Sequence, residues 1–241
     1  MTAYDGLDAA ALERLTGAPL VVLEESVSST QDVVHRLGSE GAPSGAVALA
    51  EEQTAGRGRQ GRAWHSPGGR GVWLSVLLRP PHSPLGGVLA VRAGLAALSA
   101  IREAAPRAAV RLRWPNDLVV ADRKVGGILC EARWSGEVVA WAAVGVGINV
   151  AGPVAPAVRD SAIALADVAP GVSRLALVTA LVHRLRALDP LPPELTADER
   201  DAFLRAEWRA PDAPETADLA ADGALVVRTA TGALDRREAA P

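Results

Sequence analysis

Short apolar runs bounded by Gly, Pro, Asn or Asp recur along the chain and predict β-strands. The predicted strands cover residues 19–24, 46–51, 72–78, 111–114, 118–120, 125–134 and 138–150. Apolar residues at helical spacing predict helices over residues 33–37, 85–105, 173–188 and 196–208. Because the later strands follow one another directly, with turn signals between them, we expect an α+β fold with a mixed, largely antiparallel sheet flanked by helices.

Two of the predicted helices begin with a capping signal. Ser29 is followed three residues later by Asp32, and Thr196 is followed at the same distance by Glu199. Both pairs match the capping box, in which a hydroxyl and an acidic side chain satisfy two backbone N–H groups. Gly38 is the expected end of the first helix.

Composition narrows the class of protein. Of the 241 residues, 49% are hydrophobic and 3% are aromatic, so we expect an aliphatic core. The net charge of −3 argues against a chain devoted to nucleic acid. A single cysteine excludes an internal disulfide framework, and neither a secretory signal nor a membrane-spanning apolar run is visible. These features predict a soluble, cytoplasmic protein.

The character of the chain changes after Ala210. Residues 1–209 hold nearly all the predicted elements and are expected to form the principal domain. In residues 210–241, Pro, Ala, Asp and Glu dominate, and one run, residues 223–229, predicts a strand. We expect this segment to supply one hairpin at best.

The strongest chemical signal lies between the second and third predicted strands. Residues 53–64, the Gly/Arg loop, read Gln-Thr-Ala-Gly-Arg-Gly-Arg-Gln-Gly-Arg-Ala-Trp. Glycines let a backbone approach a ligand closely, and arginines present planar, permanently charged donors. Such a loop is a candidate clamp for a carboxylate or a phosphate. Taken alone, it is more typical of a solvated surface turn.

Two nucleotide-binding motifs match the Gly/Arg loop by spacing but fail on context. Gly56, Gly58 and Gly61 have the spacing of the dinucleotide fingerprint, which must open a helix. The residues that follow, 64–71, are too rich in Pro and Gly to predict one. A P-loop is excluded because Arg62-Ala63 stands where Lys-Ser or Lys-Thr is required.

Together with four further motifs, the Gly/Arg loop resembles the biotin protein ligases. The motifs, in chain order, are Ser29-Thr30, residues 56–62, Trp114-Pro-Asn-Asp117, Lys124 with Gly127, and Gly145-x-Gly147-x-Asn149. The resemblance spans residues 21–188. It implies the fold that this family shares with lipoate ligases and class II aminoacyl-tRNA synthetases. It makes residues 1–209 a catalytic domain and residues 210–241 a shortened remnant of the family's C-terminal SH3-like barrel.

The resemblance implies a two-step reaction. The carboxylate of biotin would attack the α-phosphate of ATP, assisted by Mg²⁺, to give biotinyl-5′-AMP and pyrophosphate. A lysine of a biotin carboxyl carrier protein, or of the carrier domain of a carboxylase, would then accept the biotinyl group. The residue types suit this chemistry, because a carboxylate can approach a phosphate where preorganised cations and backbone donors offset their like charges.

Position by position, the resemblance implies a biotin site. Its implied residues are Ser29, Thr30, Gln31, Gln53, Gly56, Arg57, Gly58, Arg59, Lys124, Gly127, Gly145 and Gly147. The first four would contact the ureido ring, and Arg57, Gly58 and Arg59 would fold over the ligand. Gly127 would let backbone approach the biotin carboxylate, and Gly145 and Gly147 would form the floor.

The resemblance also implies an adjoining nucleotide site. Its implied residues are Arg62, Trp64, Asn116, Asp117, Lys124 and Asn149. Lys124 and Arg59 would be the catalytic pair: Lys124 would contact both the carboxylate and the α-phosphate, and Arg59 would retain the reactive intermediate. Asp117 is the implied residue near Mg²⁺. Without its motif, Lys124 would be interpreted as an ordinary surface lysine.

The sequence departs from the family pattern in three places. About twenty residues precede the first predicted strand, too few for the DNA-binding winged helix that many members carry. No DNA and no membrane partner are therefore expected, and a homodimer is a further expectation. Arg113 stands where many members have lysine. The short C-terminal segment is the third departure.

The aromatic residues divide into two expected roles. Trp64 lies within the Gly/Arg loop and is the tryptophan expected to contact ligand. Trp134, Trp141 and Trp208 are expected to be packing residues. The four histidines show no metal-binding spacing, so structural or solvent-facing roles are expected for them.

Two rival functions remain open from the sequence. One is a lipoate or octanoate ligase or transferase of the same fold. The implied ureido-contact set of Ser29, Thr30 and Gln53 and the arginines of the Gly/Arg loop disfavour it. The other is a non-catalytic binder of biotin or adenylate. The presence of Lys124, Asp117 and Asn149 disfavours that interpretation.

Overall fold

A seven-stranded mixed sheet forms the centre of the protein. The structure is a computed structural model that describes residues 2–83, 87–189 and 192–239. The strands are β1 Val21–Val27, β2 Val47–Gln53, β3 Gly71–Leu78, β4 Val110–Arg113, β5 Asp117–Val120, β6 Arg123–Ser135 and β7 Val138–Asn149. Their spatial order is β1-β2-β3-β7-β6-β5-β4, in which the β1–β2 pair is parallel and the others are antiparallel. The predicted α+β fold is confirmed.

Five α-helices accompany the sheet in the described part of the chain. They are α1 Ala9–Thr16, α2 Thr30–Ser39, α3 Val88–Ala104, α4 Arg174–Arg186 and α5 Ala197–Ala206. α2 lies on one face, where Val34 joins a cluster with Leu77 of β3 and Ala143 of β7. A larger cluster includes Leu98 of α3 and Leu181 of α4, both fully buried. The sheet is thus covered on both faces.

The central strand β3 fixes where the Gly/Arg loop leaves the sheet. All eight residues of β3 are buried, as expected for a strand covered on both faces. Gly71 at its start pairs with Asn149 at the end of β7, and β2 also ends on this side, at Gln53. Residues 54–70, which join β2 to β3, therefore project from the edge where β2 and β7 end.

The structure corrects two expectations about α2. The helix continues through Gly38 to Ser39 instead of ending there, and a Cβ on Gly38 would lie 2.5 Å from Trp141 Nε1. The capping box at Ser29 is wrong as well. The Ser29 hydroxyl accepts a bond from Gln31 N, but the Asp32 carboxylate accepts from the Ser28 hydroxyl instead of closing the box.

The other predicted helices are found with small shifts. α4 and α5 correspond to residues 173–188 and 196–208, and the capping box of Thr196 with Glu199 is confirmed. The helix predicted over residues 85–105 begins at Val88, and its predicted first two residues lie outside the described residues. α1 was not predicted. It begins after Asp8, whose carboxylate accepts from Ala11 N at 2.8 Å.

The C-terminal segment forms more structure than the sequence predicts. Its strands β8 Glu215–Leu219, β9 Leu225–Arg228 and β10 Leu234–Arg237 make a three-stranded antiparallel sheet, which corrects the expectation of one hairpin at best. Gly223 and Gly232, both with positive φ, allow the two turns between these strands. This small sheet contacts the main domain, since Gly87 N donates to Asp222 O at 2.9 Å. The division at residue 210 stays a prediction.

One negative finding concerns membranes. Within the described ranges, none of the helices combines the length and the apolar character needed to cross a bilayer.

Candidate functional site

A cavity of about 830 Å³ lies between the Gly/Arg loop, the strands β6 and β7, and residues 151–162. The structure brings every residue of the implied biotin and nucleotide sites to its walls. Those residues are Ser29, Thr30, Gln31, Gln53, Gly56, Arg57, Gly58, Arg59, Arg62, Trp64, Asn116, Asp117, Lys124, Gly127, Gly145, Gly147 and Asn149. Their individual ligand contacts stay predictions.

One end of the cavity is a buried polar network around Gln53. Its side-chain oxygen accepts from Thr30 N at 2.9 Å and from the hydroxyls of Thr30 and Ser29 at 3.2 and 3.4 Å. Its amide nitrogen donates to Ser66 Oγ at 2.8 Å, and the Thr30 hydroxyl also bonds Ser75 Oγ at 2.8 Å. The network forms because α2 begins beside the end of the parallel strand β2.

Gln31 is the member of this end with spare hydrogen-bonding capacity. Its amide nitrogen donates to Leu129 O at 2.7 Å. Its side-chain oxygen is buried and finds no hydrogen-bond partner among the described residues. A buried acceptor without a partner costs about 1–3 kcal/mol, so this oxygen is a place where a ligand donor would be favoured.

Two glycines of β7 form the floor of the cavity, where there is no room for a larger residue. A Cβ on Gly145 would lie 2.7 Å from Gln31 Nε2 and 3.3 Å from Ser75 Oγ. A Cβ on Gly147 would lie 2.5 Å from Trp64 Nε1. Real Cβ atoms do not tolerate such distances, so any larger residue would displace the Gln31 or Trp64 side chain.

The Gly/Arg loop is a narrow, hydrogen-bonded reversal of the chain. Trp64 N donates to Gly56 O at 2.8 Å, and Gly58 N donates to Arg62 O at 2.7 Å. A Cβ on Gly56 would lie 2.5 Å from Trp64 O, so this position needs glycine. Gly61 at the tip has φ of +70°, a conformation that other residues avoid.

The three arginines of the loop take three directions. Arg57 pairs with Asp32 on α2, with Nη1 and Oδ1 2.7 Å apart. Arg59 Nη1 donates to Asn116 Oδ1 at 3.1 Å, across the cavity. Arg62 is exposed at the outer end of the loop. The three guanidinium groups of the loop line one cavity but have different partners, and their contacts with a ligand stay predictions.

Lys124 lies in the cavity wall. Its Nζ is 2.5 Å from Asp117 Oδ1 and 5.1 Å from the centroid of the Trp64 ring. A Cβ on Gly127 would lie 3.1 Å from Lys124 Cε. Gly127 thus makes room for the lysine side chain, a reason for glycine that the sequence did not suggest. The ammonium is positioned to meet an anion that enters the cavity.

Two further cations, Arg70 and Arg113, line the cavity. Arg70 Nη1 donates to Gly152 O at 2.5 Å, and Arg113 Nη2 donates to Asp122 O at 3.2 Å. The Arg113 guanidinium also lies 4.7 Å from the centroid of the Trp208 ring. With Lys124, these side chains make the cavity suitable for polyphosphate.

The cavity has few carboxylates that could hold a divalent cation. Within the described ranges, no group of three or more His, Cys, Asp or Glu side chains is placed to hold a metal ion. The carboxylates among the cavity-lining residues belong to Asp117 and Asp122. Mg²⁺ is commonly held by one or two carboxylates together with substrate phosphates, so the residues fit a cation that arrives with a nucleotide.

The structure adds lining residues that the sequence analysis missed. Ser75 and Ser66 extend the polar network, and Trp73 packs edge-on to Trp64 with ring centroids 6.5 Å apart. Ser75 had a visible signal, since it is the lone polar residue of an otherwise apolar strand. Among the tryptophans, Trp134 is 58% exposed, so the expectation that it is a packing residue is wrong.

Comparison with known proteins identifies the family. The sequence model of the biotin/lipoate A/B protein ligase family matches residues 23–149, about half of the chain. A biotin–[acetyl-CoA-carboxylase] ligase of Mycobacterium tuberculosis is 34% identical over 197 residues, which cover 77% of this chain and 71% of that protein. The chain belongs to the biotin/lipoate A/B protein ligase family.

Two further matches place the chain within this family. A bifunctional ligase/repressor BirA of Bacillus spizizenii is 39% identical over 137 residues. The match covers 54% of this chain but 40% of that protein, so the chain spans less than half the length of this relative. The structure of a biotin protein ligase from Leishmania major, in complex with biotinyl-5-AMP, superposes with a TM-score of 0.64 at 26% identity. It covers 92% of this chain and 99% of that one, and the predicted ligase-type fold is confirmed.

Proposed function

We propose that the protein is an ATP-dependent biotin–protein ligase. It forms biotinyl-5′-AMP from biotin and ATP and transfers the biotinyl group to a lysine of a carboxylase carrier domain. The names of the relatives support this proposal, because the Mycobacterium protein is a biotin–[acetyl-CoA-carboxylase] ligase and the Leishmania structure contains biotinyl-5-AMP. The proposal places the reaction in the cytoplasm. Dimer formation and the lack of DNA binding stay predictions from the sequence.

One observation carries the proposal: the cavity joins a buried polar pocket to a cluster of cations. At the polar end, the Gln31 side-chain oxygen lacks a partner among the described residues, and Ser29 and Thr30, whose hydroxyls donate to Gln53, line the same cavity. A ureido group offers two N–H donors, which complement the Gln31 oxygen and hydroxyl oxygens that can accept a further bond. Lys124, in the same cavity, would then meet the carboxylate at the other end of the ligand.

The first step joins two anions. A biotin carboxylate oxygen forms a bond to the α-phosphorus of ATP, the bond from that phosphorus to the bridging oxygen breaks, and pyrophosphate leaves with the electron pair. Lys124 offsets the charge of both groups from one position. Arg113 and Arg70, which line the same cavity, would receive the departing phosphates. Holding the two reactants in line accounts for much of the acceleration of phosphoryl chemistry.

The proposed role of Mg²⁺ is confined to the phosphates of ATP. When bound with ATP, Mg²⁺ would neutralise phosphate charge beside Asp117. Asp117 also orients Lys124, because its carboxylate is 2.5 Å from the ammonium.

The second step releases the product. The amine of the acceptor lysine attacks the acyl carbon, the bond to the phosphate oxygen breaks, AMP leaves, and the amine loses a proton. Until the carrier arrives, the mixed anhydride must be kept from water. The Gly/Arg loop is positioned to do this, since its Arg59 reaches Asn116 across the cavity.

Biotin-dependent exchange between pyrophosphate and ATP tests the proposed function. A biotin carboxyl carrier domain added to the same reaction tests transfer. We expect exchange that requires biotin, followed by labelling of one lysine of the carrier. Lipoate and octanoate in excess should not compete. Competition by either would favour the rival ligase activity, and biotin binding without exchange would favour a non-catalytic binder.

A further inference from the structure

A chain of polar contacts connects the sheet to the Gly/Arg loop outside the cavity. Trp141 Nε1 lies 3.1 Å from His35 Nδ1, and His35 Nε2 lies 2.8 Å from Glu131 Oε2. An indole nitrogen can only donate, so His35 Nδ1 accepts and its Nε2 carries the proton. His35 therefore donates to Glu131 as a neutral imidazole whose orientation is fixed from both sides.

The chain of contacts ends at Arg57. Its Nη2 lies 3.7 Å from Glu131 Oε2, while its Nη1 lies 2.7 Å from Asp32 Oδ1. One guanidinium thus spans a carboxylate of α2 and a carboxylate of β6. The hydrogen bond from His35 and the charge of Arg57 hold the pKa of Glu131 below its usual range, so this carboxylate is ionised at neutral pH.

His35 and Trp141 are themselves firmly placed. The His35 side chain is 11% exposed. Trp141 packs against Gly38, and the Arg79 guanidinium lies 5.8 Å from the centroid of its ring. Arg79 Nη2 also donates to Gly38 O at 2.7 Å near the end of α2. The support for Glu131 is therefore part of the rigid packing of α2 on the sheet, not a mobile surface pair.

We propose that Glu131 and His35 are positioning residues that hold the Gly/Arg loop over the biotin end of the cavity through Arg57. Both lie outside the cavity lining, so they act through Arg57 instead of touching ligand. The inference rests on the proposed function for the identity of the ligand, but the restraint of the loop does not depend on it. Ordering a glycine-rich segment costs much conformational entropy, so the loop needs fixed contacts to stay in the position that the structure shows.

Conservative variants isolate this role. Glu131→Gln removes the charge but keeps the shape, and Glu137→Gln is the matched control at the exposed turn of the same β6–β7 hairpin. His35→Leu removes both hydrogen bonds of the imidazole. His35→Gln can restore both, because its amide oxygen can accept from Trp141 and its nitrogen can donate to Glu131.

Limited digestion by trypsin measures the release of the loop without any ligand. Trypsin cleaves after arginine, and the loop contains three. We expect cleavage within the loop to be roughly fivefold faster in Glu131→Gln and His35→Leu, which is the range for partly exposed ion pairs. His35→Gln and Glu137→Gln should match the wild type. Equal cleavage rates in all five proteins would overturn the proposal.

The exchange reaction supplies the second measurement. We expect the KM for biotin to rise roughly fivefold in Glu131→Gln while kcat stays within about twofold, since the bound complex is unchanged. A fall in kcat with no change in KM would overturn the positioning role. If the wild type shows no biotin-dependent exchange, the proposed function fails, and the cleavage rates still decide the role of Glu131. If Glu131→Gln does not fold, the comparison of His35→Leu with His35→Gln tests the same positioning role.

Discussion

The side chain of Arg59 donates a hydrogen bond to the side-chain oxygen of Asn116 at 3.1 Å. Asn116 is itself fixed, since its amide nitrogen donates to Ile128 O at 2.8 Å and Ile128 N donates to Asn116 O at 2.9 Å. The contact therefore joins the Gly/Arg loop to a rigid point on β6. It closes one side of the cavity, which gives a physical basis for retention of a reactive intermediate.

Replacing Arg59 should release that intermediate. In Arg59→Gly, we expect biotinyl-5′-AMP to dissociate about tenfold faster, because a hydrogen bond from a charged group contributes about 1.5–3 kcal/mol. Free adenylate would then label lysines of bystander proteins, which blotting for biotin detects. Arg107→Gly changes an exposed arginine far from the cavity and is the control. Label confined to the carrier in Arg59→Gly would contradict the assignment.

Removing Lys124 should abolish the first step without unfolding the protein. In Lys124→Ala we expect pyrophosphate exchange to fall by about 10²–10³, the usual effect of losing one group that stabilises developing charge. The change in unfolding free energy should stay within about 1 kcal/mol, because the Lys124 and Asp117 side chains are partly exposed. Arg123→Ala alters the exposed neighbour and should keep full activity. Exchange at the wild-type rate in Lys124→Ala would contradict its role.

The floor of the cavity makes its own prediction. Gly145→Ala places a Cβ 2.7 Å from Gln31 Nε2, so the Gln31 amide must move away from the polar end. We expect the Kd for biotin, measured by calorimetry, to rise at least about tenfold through loss of one buried hydrogen bond. Gly68→Ala adds a Cβ whose nearest neighbour is 4.0 Å away and is the matched control. Equal affinities for the two variants would mean that biotin does not bind against Gly145.

The contact of the C-terminal sheet with the main domain can be tested with two glycines. Gly223 and Gly232 have φ of +84° and +83°, but only at Gly223 would a Cβ meet backbone, 2.7 Å from Gly87 C. Each alanine variant should lose about 1–2 kcal/mol for the left-handed conformation. Gly223→Ala should lose more, because it also separates the small sheet from Trp114, whose Nε1 donates to Gly223 O at 3.1 Å. Thermal unfolding measures both variants, and equal losses would show that this contact does not stabilise the main domain.

The sequence predicted the sheet well because local pattern and tertiary environment agree there. β3 is apolar throughout because both of its faces are covered, and the strands that follow are separated by clear turn signals. α1 escaped prediction because it is short, and its burial depends on distant partners. Leu12 of α1 is 1% exposed within a cluster that also contains Leu181 of α4.

The false capping box at Ser29 shows how tertiary contacts override a local motif. Asp32 has the right spacing to close the box, but its carboxylate pairs with Arg57, which arrives from the Gly/Arg loop. No local pattern marks a partner 25 residues away. Glu131 and His35 could not be predicted for the same reason. Neither belongs to a motif, and only the fold brings Glu131 to Arg57 and His35 to Glu131.

The sequence predicted the residues of the candidate site more completely than the details of the helices and strands. The reason is that the site residues occur in recognisable motifs. All the residues of the implied biotin and nucleotide sites line one cavity, although they come from separate loops and strands. The reasons for particular residues emerged from packing, as with Gly127, whose lack of a side chain leaves room for Lys124. Trp73 could not be assigned in advance, since an apolar residue in a buried strand carries no signal for a cavity wall.

The central claim is that the protein forms biotinyl-5′-AMP in this cavity and retains it there. Incubation with biotin and ATP radiolabelled at the α-phosphate, followed by rapid gel filtration without a carrier protein, measures it directly. The account predicts about one labelled adenylate retained per chain with biotin, and none with lipoate or octanoate. No retained label with biotin, or equal label with lipoate, would contradict it.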